Sequence, residues 1–333
     1  MTPSSRLWVL GASDPEMARI EDLLREGGER VAYASARGTR VTPATAYQAD
    51  RAVDEEGRAI GLGQLDLVLV ECALPARAAP DPRSLVDHHR PGDPGYGRPP
   101  AEFLAGSSLG QVISVLARLG RLPVWELATI DSPALAAGDL GWEEDGGWQV
   151  GLSGARAARI PDDLVLAAAA DHCLAAAYRG RCPGIRPGVL RAWRIWTRAD
   201  YQGRSMAEVE RDVRRAEARL LAAPRVQVGE EWAQDMRPGR GAPCGAHGPS
   251  CPGEEDGCWG DVPELPEAAA FLGLPFLAIP RPGPSVASLF LEELHRLKAI
   301  RGTPHDHLAL EVMILNSAQT PASHMTGEGG SGG

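Results

Sequence analysis

The run Leu65-Asp66-Leu67-Val68-Leu69-Val70-Glu71 constrains the fold of this chain more than any other stretch. It is apolar enough to be a strand buried on both faces, which is the condition of a parallel sheet covered on each side. Three shorter runs are further strand candidates: Arg6 to Leu10, Arg30 to Ala34 and Ser84 to Asp87. Helical signals alternate with them. After the first run, Ser13 or Asp14 caps a helix that Pro15 opens, with Met17, Ile20, Leu23 and Leu24 on one face. Leu109, Val112, Ile113, Leu116 and Leu119 recur at helical spacing, and Asp162 to Arg179 reads as an Ala-rich helix ending at Gly180. Strands alternating with helices predict an α/β fold, an open, mostly parallel sheet flanked by helices. Ligands of such sheets collect at the carboxyl ends of the strands.

At 333 residues, the chain has room for a second, smaller unit. The expected division is a larger N-terminal domain over 1–195, a helical linker over 196–222 and a smaller C-terminal α/β domain over 223–316. Met206 to Leu221 supplies the charged, amphipathic linker helix. The smaller domain is read from a helix through Glu264 to Leu272, a strand at Phe276 to Ile279 and a helix from Ser285 to Lys298, with a Cys/Gly/Pro-rich insertion at 237–263. Residues 317–333 end in Gly327-Glu328-Gly329-Gly330-Ser331-Gly332-Gly333 and read as a flexible tail.

Composition removes several classes of function. A formal charge of −10 argues against a large footprint on long nucleic acid, and 5% aromatic residues leave few rings for base stacking. A small phosphorylated substrate remains compatible, because bound cations reverse the local field. No stretch approaches ~18 consecutive apolar residues, so no membrane span is expected. The absence of a basic leader before the first strand leads to the expectation of a cytoplasmic protein. The six cysteines then fit free thiols or metal ligands better than a disulfide framework.

The fourth strand ends in Asp87-His88-His89, followed by Arg90-Pro91-Gly92-Asp93. One carboxylate and two imidazoles thus project from a strand end, a good ligand set for a hard or borderline divalent metal. Other acidic residues close the earlier strands: Asp14 and Glu16 after the first, Glu71 at the end of the third. Downstream, Gly106-Ser107-Ser108-Leu109-Gly110 opens a helix whose N-terminal N–H groups suit a phosphate, although the two serines equally serve as plain caps.

With these elements, about the first 180 residues resemble the DHH phosphoesterase superfamily. That group holds RecJ-like exonucleases, enzymes that degrade very short RNAs, cyclic-dinucleotide phosphodiesterases and family II inorganic pyrophosphatases. The resemblance implies a metal-dependent phosphoesterase in which two divalent ions activate water against a phosphodiester of a short oligonucleotide or nucleotide-like substrate. It assigns Asp14, Glu16, Glu71, Asp87, His88 and Asp171 as metal ligands, with Asp87 and Glu71 as bridging candidates. Asp131 competes with Asp171 for the fourth-motif position, and His172 is a further candidate ligand. Asp87, His88 and His89 form the catalytic signature, in which His89 orients the leaving group or donates a proton. Ser107, Ser108, Arg90 and Arg98 are candidates for substrate phosphate. The mixed oxygen and nitrogen donors suit Mn²⁺, with Mg²⁺ as the other option.

Two departures motivate an alternative. No histidine precedes Asp14-Pro15-Glu16, and Glu71 stands where the family has aspartate. A catalytically reduced nucleotide- or metal-binding protein is therefore the competing expectation, beside a pyrophosphatase or phosphomonoesterase on the same metal core. A homodimer is left open. Separately, Cys244, His247, Cys251 and Cys258 have the donor types of a small structural Zn²⁺ site.

Overall fold

The computed structural model describes residues 6–63, 65–75, 84–123, 125, 129–131, 135–228, 231–236 and 264–277. The main sheet consists of β1 (Arg6–Leu10), β2 (Arg30–Ala36), β3 (Thr39–Arg40), β4 (Arg51–Val53), β5 (Asp66–Val70) and β6 (Ser84–Val86), in the order β3-β2-β1-β5-β6 with β4 also on β2. The four expected strands are its parallel part, β2-β1-β5-β6. The short β3 and β4 pair with β2 in antiparallel fashion.

Alternation along β1 and β5 sends side chains to two separate cores. Trp8, Leu10, Val68 and Val70 face a core shared with α1 (Pro15–Glu26), α2 (Phe103–Gly106), α3 (Ser108–Arg118) and α4 (Asp162–His172). Leu7, Val9, Leu67 and Leu69 face the other way, onto Val41, Ala46, Ala49 and Leu62. The second cover is thus irregular chain and short strands instead of helices. Doubly buried strands were legible in the sequence; the kind of cover was not.

The Ala-rich helix expected over Asp162 to Arg179 is broken. Cys173 adopts φ −150 and ψ 40, which separates α4 from α5 (Leu174–Tyr178). A second sheet was not anticipated. Strands β7 (Thr129–Asp131), β8 (Leu140–Glu143), β9 (Gly147–Leu152) and β10 (Arg156–Arg159) pair antiparallel in the order β7-β10-β9-β8. Its Trp148 and Val150 join the helical core, where Trp148 meets the edge of Phe103.

Helix α6 (Pro187–Gln202) runs straight through the boundary expected at residue 195. The linker expected at 196–222 is instead packed structure: α7 (Met206–Ala222) buries Val209, Val213, Ala216 and Leu220. Ala216 and Leu220 share a core with Met236, Leu265, Ala268 and Phe276. These last come from the end of a small sheet of β11 (Arg225–Val228), β12 (Glu231–Asp235) and β13 (Phe276–Leu277), and from α8 (Leu265–Leu272). The helix expected from Ser285 to Lys298, the insertion at 237–263 and the tail lie outside the described residues. No helix among the described residues is long and apolar enough to cross a membrane.

Buried charge ties α8 to the rest. The Glu267 carboxylate accepts from Arg194 Nε at 2.8 Å, and Tyr178 donates its hydroxyl proton to the other oxygen. Burial opposes ionisation of Glu267, but attraction to Arg194 outweighs it and holds the pKa below the ordinary 4.5. The unfolded chain therefore binds the proton more readily. Stability from this contact is present above pH ~4.5 and is lost as pH falls through the lower folded value. Glu267→Gln is expected to cost ~3 kcal/mol or more at neutral pH. It should also flatten the acid limb of stability, as measured by urea unfolding from pH 3 to 7. An unchanged acid limb would assign that limb to other carboxylates.

Candidate metal centre

Register places three strand ends side by side, two of them acidic. Leu10 pairs with Val70, and Val70 with Val86, so the chain leaves the sheet at Gly11, Glu71 and Asp87 along one edge. Gly11 N–H still donates to Val70 O, and Glu71 N–H to Val86 O, both at 2.9 Å. A Cβ on Gly11 would lie 2.4 Å from Glu71 O, so only glycine fits. Glu71 turns the chain out of the strand with φ +49, a strained value for a non-glycine residue.

Asp87 is fully buried and organises its own neighbours. Its carboxylate accepts from the His88 and His89 backbone N–H groups at 2.7 and 3.0 Å, and from the Tyr47 hydroxyl at 2.9 Å. His89 Nδ1 lies 3.0 Å from the same carboxylate. Burial resists the charge, but the contacts from His89 and Tyr47 win and lower Asp87 to about 2. Asp87 is thus occupied in holding the two histidines and is not among the groups that converge on a common point.

Those groups are Glu71, His88, His89 and Asp171, each offering one ligand atom within 4.8 Å of the others. Asp171 arrives from the last turn of α4, just before the break at Cys173. Its Oδ2 lies 3.0 Å from His88 Nε2, while His88 Nδ1 lies 3.2 Å from Ser108 Oγ. Asp131 is instead on β7, in the second sheet. His172 is buried, with its ring edge-on to His88 at 5.0 Å. It packs against Gly106, where a Cβ would come within 2.6 Å of the imidazole.

The other expected ligands sit close behind. Asp14 caps α1, accepting the Met17 N–H at 2.7 Å. Burial, then repulsion from Asp171 and Glu71, raises its pKa to about 7. Glu16 is buried, and its Oε1 accepts the Leu109 N–H at 3.0 Å. Burial and the same two carboxylates push Glu16 well above its usual range. Burial also raises Glu71, partly offset by the two histidines. For His89, burial disfavours the charged ring, but the hydrogen bond to Asp87 and attraction to Glu71 and Asp171 prevail, giving about 10. Glu16 Oε2 and Glu71 Oε1 are buried without a hydrogen-bond partner among the described residues. Crowded carboxylates, unpartnered buried oxygens and a mixed oxygen and nitrogen donor set fit a divalent cation.

Ser107 and Ser108 are fully buried and support structure. Ser107 caps α3 by accepting the Gly110 N–H at 3.0 Å, and Ser108 contacts His88. Gln111 donates to the backbone oxygens of Asp87 and Gly106, fastening the signature to the helix start. Arg90 stacks over Tyr47 at 3.5 Å, and Arg98 pairs with Glu102 at 2.8 Å. Arg98 and Gln111 also line a cavity of about 700 Å³ beside β6, together with Ser84, Ser114 and Arg118. Cys244, His247, Cys251 and Cys258 lie outside the described residues. Sequence reasoning missed Tyr47, which reaches Asp87 across 40 positions from a short 3₁₀ turn with no local motif.

Comparison of the chain with protein-family models, curated proteins and solved structures finds no match.

Proposed function

We propose that this chain is a metal-dependent phosphoesterase that hydrolyses phosphodiester bonds of short oligonucleotides or nucleotide-like substrates, with Mn²⁺ held by Glu71, His88, His89 and Asp171. The observation that carries the reading is the convergence of these four groups at the carboxyl edge of the parallel strands. The Asp87-His88-His89 signature and its resemblance to DHH phosphoesterases supply the reaction class. A divalent cation held by these residues would supply positive charge to phosphate oxygens and acidify water. Asp87 fixes the His89 ring through Nδ1, and Ser108 contacts His88 Nδ1, which leaves His88 Nε2, 3.0 Å from Asp171 Oδ2, to share a cation with that carboxylate. Glu16 and Asp14, whose carboxyls are held protonated more readily in the metal-free site, would ionise beside a cation and so favour its retention. Arg98 pairs with Glu102 and lines the cavity beside β6, which none of the four ligand groups lines, so no substrate contact is assigned to it.

The test is hydrolysis of a generic phosphodiester, then of dinucleotides, cyclic dinucleotides, pyrophosphate and single-stranded DNA. Turnover is expected with Mn²⁺, to vanish on chelation and to return on re-addition. His88→Ala should reduce it by at least ~10–100-fold, the loss expected even for a group that only supports a metal ligand. Turnover indifferent to His88→Ala and Asp87→Asn would refute the assignment. Tyr47→Phe removes only a hydroxyl behind Asp87. It is expected to lower Mn²⁺ affinity or activity by ~10–100-fold while costing only ~1–2 kcal/mol of stability. Calorimetric Mn²⁺ titration alongside thermal melts separates the two effects, and an unaltered Mn²⁺ affinity would remove Tyr47 from the account.

One observation favours the second reading, a nucleotide- or metal-binding protein with reduced catalysis. Asp14 is committed to capping α1, and no histidine precedes it. On that reading nucleotide binds tightly in Mn²⁺, and no substrate of the panel turns over.

A further inference from the structure

We propose that Cys173 and Cys182 are a redox-active pair that closes to an intramolecular disulfide. Their Sγ atoms lie 2.8 Å apart, nine positions apart in sequence, against ~2.05 Å for a covalent S–S bond. Both side chains are buried, at 4% and 3% exposure. The backbone brings them together from two independently anchored ends. Cys173 sits at the break between α4 and α5, where its N–H donates to Ala169 O. Cys182 follows a helix-ending turn in which Gly180 has φ +68, Gly180 N–H donates to Ala177 O and Arg181 N–H to Ala176 O, both at 3.0 Å. Beyond it, Pro183 O accepts the Trp148 indole N–H at 3.0 Å. Closing the bond therefore needs the sulfurs to approach by under ~1 Å.

The reaction balances with a small disulfide such as oxidised glutathione as the two-electron oxidant. One cysteine thiolate attacks the oxidant's S–S bond, forming a mixed disulfide and releasing one thiol. The second cysteine, losing its proton, attacks the protein sulfur of that mixed disulfide and releases the other thiol. Two protein thiols are oxidised and one small disulfide is reduced to two thiols. Arg179, Gly180 and Arg181 are exposed, so local opening of this surface turn is the route of access. The link fixes the chain break that follows Asp171 and His172, but the inference stands on the cysteine geometry and not on the phosphoester reading. Cys72 is also buried, with its thiol on Val9 O, and serves as the internal control.

The experiment uses the full chain, treated with oxidised glutathione, alkylated with maleimide at low pH and digested with trypsin. Cleavage after Arg179 and Arg181 separates the two cysteines. A Cys173 peptide joined to the Cys182 peptide, 2 Da lighter than the two thiol peptides together and released by dithiothreitol, is expected. The oxidised protein should also melt several degrees above the reduced one. Cys72→Ser should keep both results and Cys182→Ser should lose both. Recovery of Cys173 and Cys182 as maleimide adducts after oxidation, or linked to Cys244, Cys251 or Cys258, would overturn the proposal.

Discussion

Glu16→Gln is expected to raise the melting temperature of the metal-free protein by several degrees at pH 7 while weakening Mn²⁺ binding by ~10–100-fold. The opposite signs come from one cause. Glu16 is buried beside Asp171, Glu71 and Asp14, and its pKa lies well above the ordinary 4.5. Folding therefore disfavours its charged form. A raised carboxyl pKa leaves stability undiminished below the unfolded value and removes it as pH rises towards the folded one. The gain from glutamine should accordingly shrink as pH falls to about 4.5. Glutamine keeps an oxygen to accept the Leu109 N–H, so the start of α3 survives the change. Melts from pH 4.5 to 7.5, paired with Mn²⁺ titration, report both signs. A variant that is less stable at pH 7 and binds Mn²⁺ as tightly as wild type would show that Glu16 is an ordinary structural carboxyl.

Gly95→Ala should be strongly destabilising. Gly95 N–H donates to Asp87 O at 3.0 Å, folding the loop after the signature back onto it. A Cβ there would lie 1.8 Å from Gly106 O, 2.7 Å from Gln111 Nε2 and 2.8 Å from His88 Cβ. The closest of these is backbone, which no rotamer change relieves. A loss of ~3 kcal/mol or more is expected, about 4 °C or more in melting temperature for a chain of 333 residues. Mn²⁺ affinity should fall with it, since His88 must move. A near-wild-type melt with unaltered Mn²⁺ binding would mean that the loop does not pack as described.

The parallel strands were legible because burial on both faces writes itself as continuous apolar residues. The carboxylates at their ends were legible because a sheet of one direction gathers its strand ends along one edge. The antiparallel sheet was missed because its strands are short and interrupted by Gly141, Gly147 and Gly151, so no clean alternation survives. The cover over Leu7 and Leu69 was missed because it is mostly irregular, held by apolar contacts distant in sequence. At the site, residue types were readable but their division of labour was not. Asp87 carries the signature, yet its burial and its four contacts turn it into the support for His88 and His89. Asp171 joins the cluster because α4 ends over the strand edge, stopped there by the break at Cys173, a placement that no local motif encodes. Tyr47 shows the limit most plainly: its partner is 40 residues away, and no periodicity encodes such a contact.

The most direct test is a crystal structure of the protein grown with Mn²⁺, with data collected at the manganese absorption edge. An anomalous peak within coordination distance of Glu71, His88 and Asp171 is the predicted result, and it should disappear in crystals of Asp171→Ala. A peak elsewhere, or Mn²⁺-soaked crystals with no peak at this edge of the sheet, would contradict the account.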